Sequence, residues 1–225
     1  MGLDQETFEA VDAFVGETLV THDEALRGSL DAAEAAGLPQ IQVSPPQGKL
    51  LQMLARLVGA RTVLELGTLG GYSTILLARP LPTGGRLISL EANAEYAEVA
   101  RGSIERAGLG DVVELRVGPA LETLPALADE GAGPFDLTFI DADKVNTPSY
   151  FAWALDHSRS GSVIVADNVV RGGSLADSAS ADEATQAQRR LHEMLIDEPR
   201  VTATTIQTVG SKGYDGFTIA LVEAT

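Results

Sequence analysis

The sequence predicts a doubly wound α/β fold with a mostly parallel sheet, and two observations support this. From residue 62, five short apolar runs alternate with segments long enough for helices, a rhythm typical of parallel strands covered on both faces. After a predicted helix over 183–196, two apolar runs flank the stretch GSKGYDG and predict a closing antiparallel hairpin. The five predicted strands are TVLEL (62–66), LISL (87–90), VVELRV (112–117), LTFI (137–140) and SVIVA (162–166).

The first forty residues predict a helical arm. Apolar residues recur at helical spacing over 4–20, which favours an amphipathic helix. Thr21 and Glu24 have the spacing of a capping box and predict a second helix that ends before Gly37. Residues 1–40 would therefore form an arm, and residues 41–225 the α/β core of a single domain, a common size for one core.

Two further segments complete the predicted organisation. Ser44 and Gln47 repeat the capping pattern, with Pro45 at the first helical position, ahead of an apolar stripe over 50–58. The Ser/Asp/Ala stretch 174–183 predicts a mobile loop beside the exit of the fifth strand.

Composition narrows the classes of partner. The chain has 32 Asp and Glu against 16 Lys and Arg, which disfavours nucleic acid but leaves a local basic groove open. It has no cysteine, so any metal must be held by oxygen or histidine. Without a leader pattern or a long apolar run, we expect a cytoplasmic protein with no membrane partner.

A glycine loop and two acids predict a cofactor site. Gly67, Gly70 and Gly71 lie between the first strand and its helix, where glycines let backbone approach a ligand, although the spacing is not G-x-G-x-x-G. Glu91 ends the second strand, where a carboxylate can accept both ribose hydroxyls. Glu65, within the first strand, would need a hydrogen-bonding or cationic partner such as a ligand ammonium.

Polar side chains also end the fourth and fifth strands. Asp141 follows one, and Asp167 and Asn168 follow the other. Because neighbouring strands lie about 4.8 Å apart, these oxygens can converge on a hard cation such as Mg²⁺, with Mn²⁺ or Ca²⁺ as substitutes. A nearby divalent cation would disfavour the ammonium form of Lys144, which could then accept a proton; its alternative role is a counter-ion to the carboxylates.

The glycine loop and LISLE resemble the first motifs of S-adenosylmethionine-dependent methyltransferases. The ordered motifs VSPPQGKLL, LELGTLGGYS, RVGPALETL, FIDADK and VADNVV resemble the metal-dependent O-methyltransferases that include catechol and caffeoyl-coenzyme A O-methyltransferases. The resemblance implies a Rossmann-like methyltransferase sheet, a metal site of Asp141, Asp167 and Asn168, and Lys144 as the catalytic base. It implies that S-adenosylmethionine contacts Val43, Glu65, Gly67, Ser73, Glu91, Ala120 and Asp141.

Two positions depart from the family pattern. Thr147 stands where relatives commonly carry tyrosine, and Arg171 where tryptophan is usual. We expect both to face the acceptor pocket, where an arginine could clamp an acidic acceptor. Alternatively, Arg171 points to solvent or pairs with Asp177 or another acid of the 174–183 loop.

The sequence therefore predicts methyl transfer to a hydroxyl of a small, catechol-like acceptor, by a homodimer. Three alternatives remain open: methylation of a hydroxylated transfer-RNA base, which a basic rim would favour; a nicotinamide-dependent oxidoreductase, which the glycine spacing opposes; and a cofactor-binding protein without catalysis.

Overall fold

The structure, a computed structural model, describes residues 4–224 and is built around one seven-stranded sheet. The strands are β1 (Thr62–Leu66), β2 (Arg86–Glu91), β3 (Val113–Val117), β4 (Phe135–Ile140), β5 (Ser158–Asp167), β6 (Val201–Gly210) and β7 (Gly213–Val222). Their order is β3-β2-β1-β4-β5-β7-β6. The first five strands are parallel, and β7 runs antiparallel to both β5 and β6. The predicted fold class is confirmed.

Helices flank the sheet. Over residues 4–224 they are α1 (Gln5–Leu19), α2 (Glu24–Ala35), α3 (Pro45–Leu57), α4 (Tyr72–Ala78), α5 (Ala94–Arg106), α6 (Ala120–Asp129), α7 (Thr147–Asp156) and α8 (Glu183–Ile196). Short 3-10 helices span Lys144–Asn146 and Arg171–Ala176. None of the helices between residues 4 and 224 has the length and apolar character that a membrane crossing requires.

The sheet buries apolar side chains on both faces because successive strand residues point in opposite directions. In β1, Leu64 and Leu66 pack in the cluster that includes α6 and α7, whereas Val63 packs in the cluster that includes α3 and α4. All three side chains are fully buried. This two-sided burial is what the continuous apolar runs of the sequence require.

The helix starts agree with the capping predictions except at α2. Asp23, not Thr21, is the N-cap of α2, and its carboxylate accepts from the Leu26 amide at 3.0 Å. Aspartate and threonine are both good N-cap residues, so the capping-box spacing alone does not distinguish Thr21 from Asp23, and the prediction of Thr21 is wrong. Ser44 caps α3 as predicted, with Pro45 in its first turn.

The C-terminal hairpin is longer than its sequence pattern indicates. The sequence predicts a connection of seven residues, GSKGYDG, but Gly210 pairs with Gly213 and leaves only Ser211 and Lys212 in the turn. Asp167, the last residue of β5, pairs with Phe217, so β7 extends four residues beyond the carboxyl end of β5. The tip of the hairpin thus overhangs that edge of the sheet by about 13 Å.

The order of strands defines where a ligand should bind. β1 lies between β2 and β4, so the chain reverses direction across the sheet at the β1–β4 boundary. In open sheets of this kind, ligands bind beyond the carboxyl ends of the strands at that boundary. Residues 1–3 and 225, the ends of the predicted domain, lie outside the described residues.

Candidate active site

A cleft of about 1140 Å³ opens along the carboxyl edge of the sheet. Nine of the ten predicted site residues lie on its wall, and Glu65 is the exception. The nine are Val43, Gly67, Ser73, Glu91, Ala120, Asp141, Lys144, Asp167 and Asn168. The predictions therefore converge on one cavity, formed by the loops after β1 to β5 together with the arm and the hairpin tip.

The loop between β1 and α4 approaches the next strand end closely. Gly67 has φ +96°, and a Cβ atom there would collide with the backbone carbonyl of Asp141. Gly71, the N-cap of α4, has φ +89°. Both positions lie in the left-handed region that glycine adopts without strain. The glycines thus bring the loop against the end of β4 and leave the cleft open above it.

The carboxylate of Glu91 fastens this loop to β2. Its Oε2 accepts from the backbone amides of Thr68 at 3.1 Å and Leu69 at 2.8 Å, and its Oε1 accepts from the Asn93 amide at 2.9 Å. Each carboxylate oxygen can accept more than one hydrogen bond, so Glu91 retains acceptor capacity for ribose hydroxyls. Glu91 therefore shapes the loop as well as lining the cleft, a role that the sequence did not reveal.

Glu65 lies beneath the cleft and is fully buried. Its carboxylate accepts hydrogen bonds from the hydroxyls of Ser73 at 2.6 Å, Thr74 at 2.5 Å and Ser89 at 2.7 Å. Burial raises the pKa of Glu65 to about 7, and the three hydroxyls limit that rise. The protein thus supplies the hydrogen-bonding partners that the sequence predicts for Glu65. One of these partners, Ser73, lies on the cleft wall, whereas Glu65 does not.

Asp141 and Asp167 end neighbouring strands in register. Ile140 of β4 pairs with Ala166 of β5, so the two aspartates follow side by side. Asp167 is only 5% exposed. Burial, and next the negative charge of Asp141, raise the pKa of the Asp167 carboxyl, while Lys144 opposes the rise. Two close carboxylates in a buried position favour a cation between them.

The donor set at this point fits a small hard cation. Asn168 has φ +57°, a conformation that asparagine tolerates, and its backbone N–H donates to Asp167 Oδ1 at 2.8 Å. Within residues 4–224 no three His, Cys, Asp or Glu side chains cluster as a metal site, so a site here would combine two carboxylates with the Asn168 amide oxygen. All three donors are oxygens, the ligands that Mg²⁺ prefers.

Lys144 lies directly beside this pair. Its Nζ donates to Asp141 Oδ1 at 2.5 Å, so the counter-ion contact considered from the sequence is present. Its backbone carbonyl accepts from Gln188 Nε2 at 3.0 Å and from Thr147 Oγ1 at 3.1 Å. Gln188 lies on α8 and is fully buried. These two contacts hold the turn that carries the lysine.

The prediction that Thr147 and Arg171 face the acceptor pocket is wrong. Thr147 is buried against Gln188, whose amide donates to Thr147 Oγ1 at 3.1 Å, and it is not part of the cleft wall. Arg171 also lies off the wall, with its Nε 3.3 Å from Asp182 Oδ2. This is the alternative in which Arg171 pairs with an acid of the 174–183 loop. Its φ of +54° redirects the chain at this point, which the sequence pattern does not show.

Sequence reasoning missed two groups that shape the cleft. Asp215 Oδ1 accepts from the amides of Val170, Arg171 and Gly216 at 3.1, 2.8 and 2.9 Å, and so fixes the turn after the Asp167–Asn168 pair. Tyr150 donates its hydroxyl to Asp143 on the same wall. The DG dipeptide at Asp215 is a usable sequence signal for a side chain that caps a turn, although the pattern alone places it in the hairpin connection.

The charge on the cleft wall is strongly negative. Its carboxylates are those of Asp12, Glu91, Glu122, Asp141, Asp143, Asp167 and Asp215. Among the described residues of the wall, the cationic side chains are Lys144 and Lys212. A basic rim that would suit an RNA backbone is therefore not found in the described part of this cleft.

The fold and the cleft are those of a doubly wound α/β protein with a ligand site where the strand order reverses, because a glycine loop and strand-end acids meet there. A family model described as O-methyltransferase matches residues 17–221. The catechol O-methyltransferase of Mycobacterium tuberculosis is 54% identical over 224 residues, which cover 99% of this chain and 100% of that protein.

Two solved structures are closely similar. An O-methyltransferase from Bacillus cereus, in complex with SAH, has a TM-score of 0.96 and 53% identity, and the match covers 98% of this chain and 100% of that one. The O-methyltransferase TomG from Streptomyces achromogenes, involved in tomaymycin synthesis and in complex with SAM, has a TM-score of 0.95 and 50% identity, with 99% and 100% covered.

The chain belongs to the O-methyltransferase family. The resemblance inferred from the ordered motifs is confirmed, and with it the assignment as an S-adenosylmethionine-dependent, methyl-transferring enzyme. The nicotinamide-dependent oxidoreductase considered from the sequence is set aside.

Proposed function

We propose that this enzyme transfers a methyl group from S-adenosylmethionine to one hydroxyl of a small, catechol-like acceptor, and that it requires a divalent cation. The observation that carries the proposal is the register of β4 and β5, which sets Asp141 beside Asp167 at the edge where the glycine loop ends. The catechol O-methyltransferase relatives from Niastella koreensis and M. tuberculosis, matched over their full lengths, support the acceptor class.

The cofactor would lie over the loops that follow β1, β2 and β3. Gly67, Ser73, Glu91 and Ala120 line that part of the cleft, and Val43 lines it from the loop before α3. A bound S-adenosylmethionine supplies an electrophilic methyl group. The small side chain of Ala120 leaves room for a flat base, and the oxygens of Glu91 can accept from ribose hydroxyls. The SAH and SAM complexes of the two similar structures support this choice of cofactor.

The cation would be held by Asp141, Asp167 and Asn168, with Mg²⁺ as the first choice and Mn²⁺ or Ca²⁺ as alternatives. When bound, it would orient the two oxygens of a vicinal diol and acidify one of them. Lys144 Nζ, on the same wall, would accept the proton that this hydroxyl releases. The buried Gln188 and Thr147 contacts would keep the lysine at that position. Holding both reactants in line supplies much of the remaining rate enhancement.

The transfer-RNA alternative is less well supported, because Lys144 and Lys212 are the two cations on a described wall that carries seven carboxylates. The negatively charged backbone of an RNA would be repelled by these carboxylates. A small acceptor avoids that cost, since only its reacting end must enter the negative part of the cleft.

The test of the proposed function is product analysis by mass spectrometry. Enzyme, S-adenosylmethionine and Mg²⁺ are incubated with a 3,4-dihydroxyphenyl compound and, separately, with its monohydroxy analogue. We expect a singly methylated product from the diol and little from the analogue, because the diol would offer the cation two neighbouring oxygens and the analogue would offer one. Equal methylation of both compounds, or of neither, would contradict the proposal.

We also propose that the chain is a single domain that forms a homodimer. Leu26 and Ala33 of α2 are buried against the core, whereas α1 contributes no buried residue. Val11 and Phe14 of α1 are 57% and 66% exposed. An apolar face of this kind is usually covered by a partner. Sedimentation equilibrium should give twice the chain mass of 23.6 kDa, and a monomer at micromolar concentration would refute the dimer.

A further inference from the structure

The tip of the β6–β7 hairpin forms one side of the cleft mouth. Thr208, Val209, Gly210, Lys212 and Gly213 all lie on the wall. Because β7 extends beyond its pairing with Asp167, the tip stands well above the candidate metal ligands. A group at the tip would therefore meet the end of an acceptor that is remote from its reacting hydroxyl.

The tip is fixed to the arm by specific contacts. Ser211 donates from its amide at 2.8 Å and from its hydroxyl at 3.0 Å to Asp12 Oδ2 on α1. Gln5 donates to the backbone carbonyl of Gly210 at 2.9 Å. Lys212 Nζ donates to the Gln40 carbonyl, in the segment before α3, at 2.8 Å. The position of Lys212 is thus defined by contacts of the hairpin tip with α1 and with the segment before α3.

Lys212 differs from the other lysines of the chain. The sequence has three, of which Lys49 lies outside the cleft wall and Lys144 is paired with Asp141. Within residues 4–224 no carboxylate lies within ion-pair distance of the Lys212 ammonium. Asp12 lines the same mouth, but its carboxylate accepts hydrogen bonds from Ser211.

The ammonium group of Lys212 has spare hydrogen-bonding capacity. It has three N–H donors, and the Gln40 carbonyl takes one of them. The residue is accessible to solvent at the mouth, and partial desolvation lowers the pKa of its ammonium. An anionic ligand group would therefore find a cation with free N–H donors at this point of an otherwise acidic cleft.

We propose that Lys212 binds a carboxylate on the remote end of the acceptor and so sets a preference for acidic diols. This inference rests on the proposed function, because it names which members of the diol class are preferred. It assigns to Lys212 the role that the sequence suggested for Arg171, which instead pairs with Asp182. Lys212 is a specificity-determining residue here and takes no part in the proton transfer.

The test compares kcat/KM for 3,4-dihydroxycinnamic acid and for its neutral methyl ester. Within one protein, the ratio of the two values cancels differences in active concentration and in folding. In Lys212→Met the ratio should fall roughly threefold to tenfold, since an ion pair at a partly exposed mouth is of modest strength. Lys212→Arg should retain most of the preference. Raising the salt concentration should reduce the preference of the wild type, because the site is open to solvent.

Lys49→Met is the matched control. It removes the same charge from α3, where Lys49 donates to Gln52 at 3.0 Å outside the cleft wall, and should leave the ratio unchanged. An unchanged ratio in Lys212→Met would overturn the inference. If activity toward acid and ester fell by the same factor, Lys212 would only hold the hairpin against Gln40. Failure of the wild type to methylate either compound would instead remove the proposed function, and this inference with it.

Discussion

Replacing Lys144 with methionine is expected to lower kcat by roughly two to four orders of magnitude, the usual effect of losing a positioned general base. The substitution retains most of the side-chain volume and removes the group that donates to Asp141. Binding of S-adenosylmethionine should change little, because most of its proposed contacts lie after β1, β2 and β3. Fixed-time activity assays with a diol measure kcat, and calorimetry with S-adenosylmethionine measures cofactor affinity separately.

The same variant distinguishes a base from a counter-ion. If Lys144 only neutralises Asp141 and Asp167, high Mg²⁺ should restore turnover in Lys144→Met, because the cation replaces the missing charge. If Lys144 accepts the proton, Mg²⁺ should bind at least as well as in the wild type, since the competing ammonium is gone, but turnover should stay low. Calorimetric Mg²⁺ binding together with kcat decides between these roles, and full rescue by Mg²⁺ would refute the base.

Asp167→Asn is expected to weaken Mg²⁺ binding at least tenfold and to reduce turnover in proportion. The asparagine side chain is nearly isosteric, but it replaces the proposed anionic ligand by a neutral one beside Asp141, and metal affinity depends strongly on ligand charge. In the absence of metal, the free energy of unfolding should be unchanged or higher, because a buried carboxylate close to Asp141 is lost.

Asp111→Asn is a suitable control for that experiment. Asp111 is exposed, lies in the turn before β3 and is not part of the cleft wall, so its substitution removes one negative charge without touching the site. Mg²⁺ binding by Asp111→Asn should match the wild type. If Asp167→Asn bound Mg²⁺ as tightly as the wild type, the cation site would have to lie elsewhere.

The strands and the strand-end residues were predictable because they depend on local pattern. A buried parallel strand reads as a short apolar run, and its last residues project at the carboxyl edge whatever the remaining topology. This is why Glu91, Asp141 and Asp167 could be assigned to one cleft from the sequence. The glycine loop was predictable for a similar reason, because φ values such as +96° at Gly67 restrict the choice of residue.

The end of the cleft proposed for the acceptor was harder to predict because it depends on contacts between distant segments. Thr147 is buried by Gln188, which lies 41 residues further along the chain, and Arg171 turns toward Asp182. Lys212 reaches the cleft only because β7 is longer than its apolar run suggests and because Asp12 and Gln40 hold the tip. None of these contacts produces a periodic signal in the sequence.

Transfer of an isotopically labelled methyl group to a catechol-type diol, with and without a chelator, tests the central claim most directly. The account predicts that excess chelator abolishes transfer and that added Mg²⁺ restores it. It also predicts that calorimetric binding of S-adenosylmethionine largely survives chelation, since most of the proposed cofactor contacts lie away from Asp167 and Asn168. Undiminished transfer in excess chelator would contradict the assignment of Asp141, Asp167 and Asn168 as ligands of a required cation.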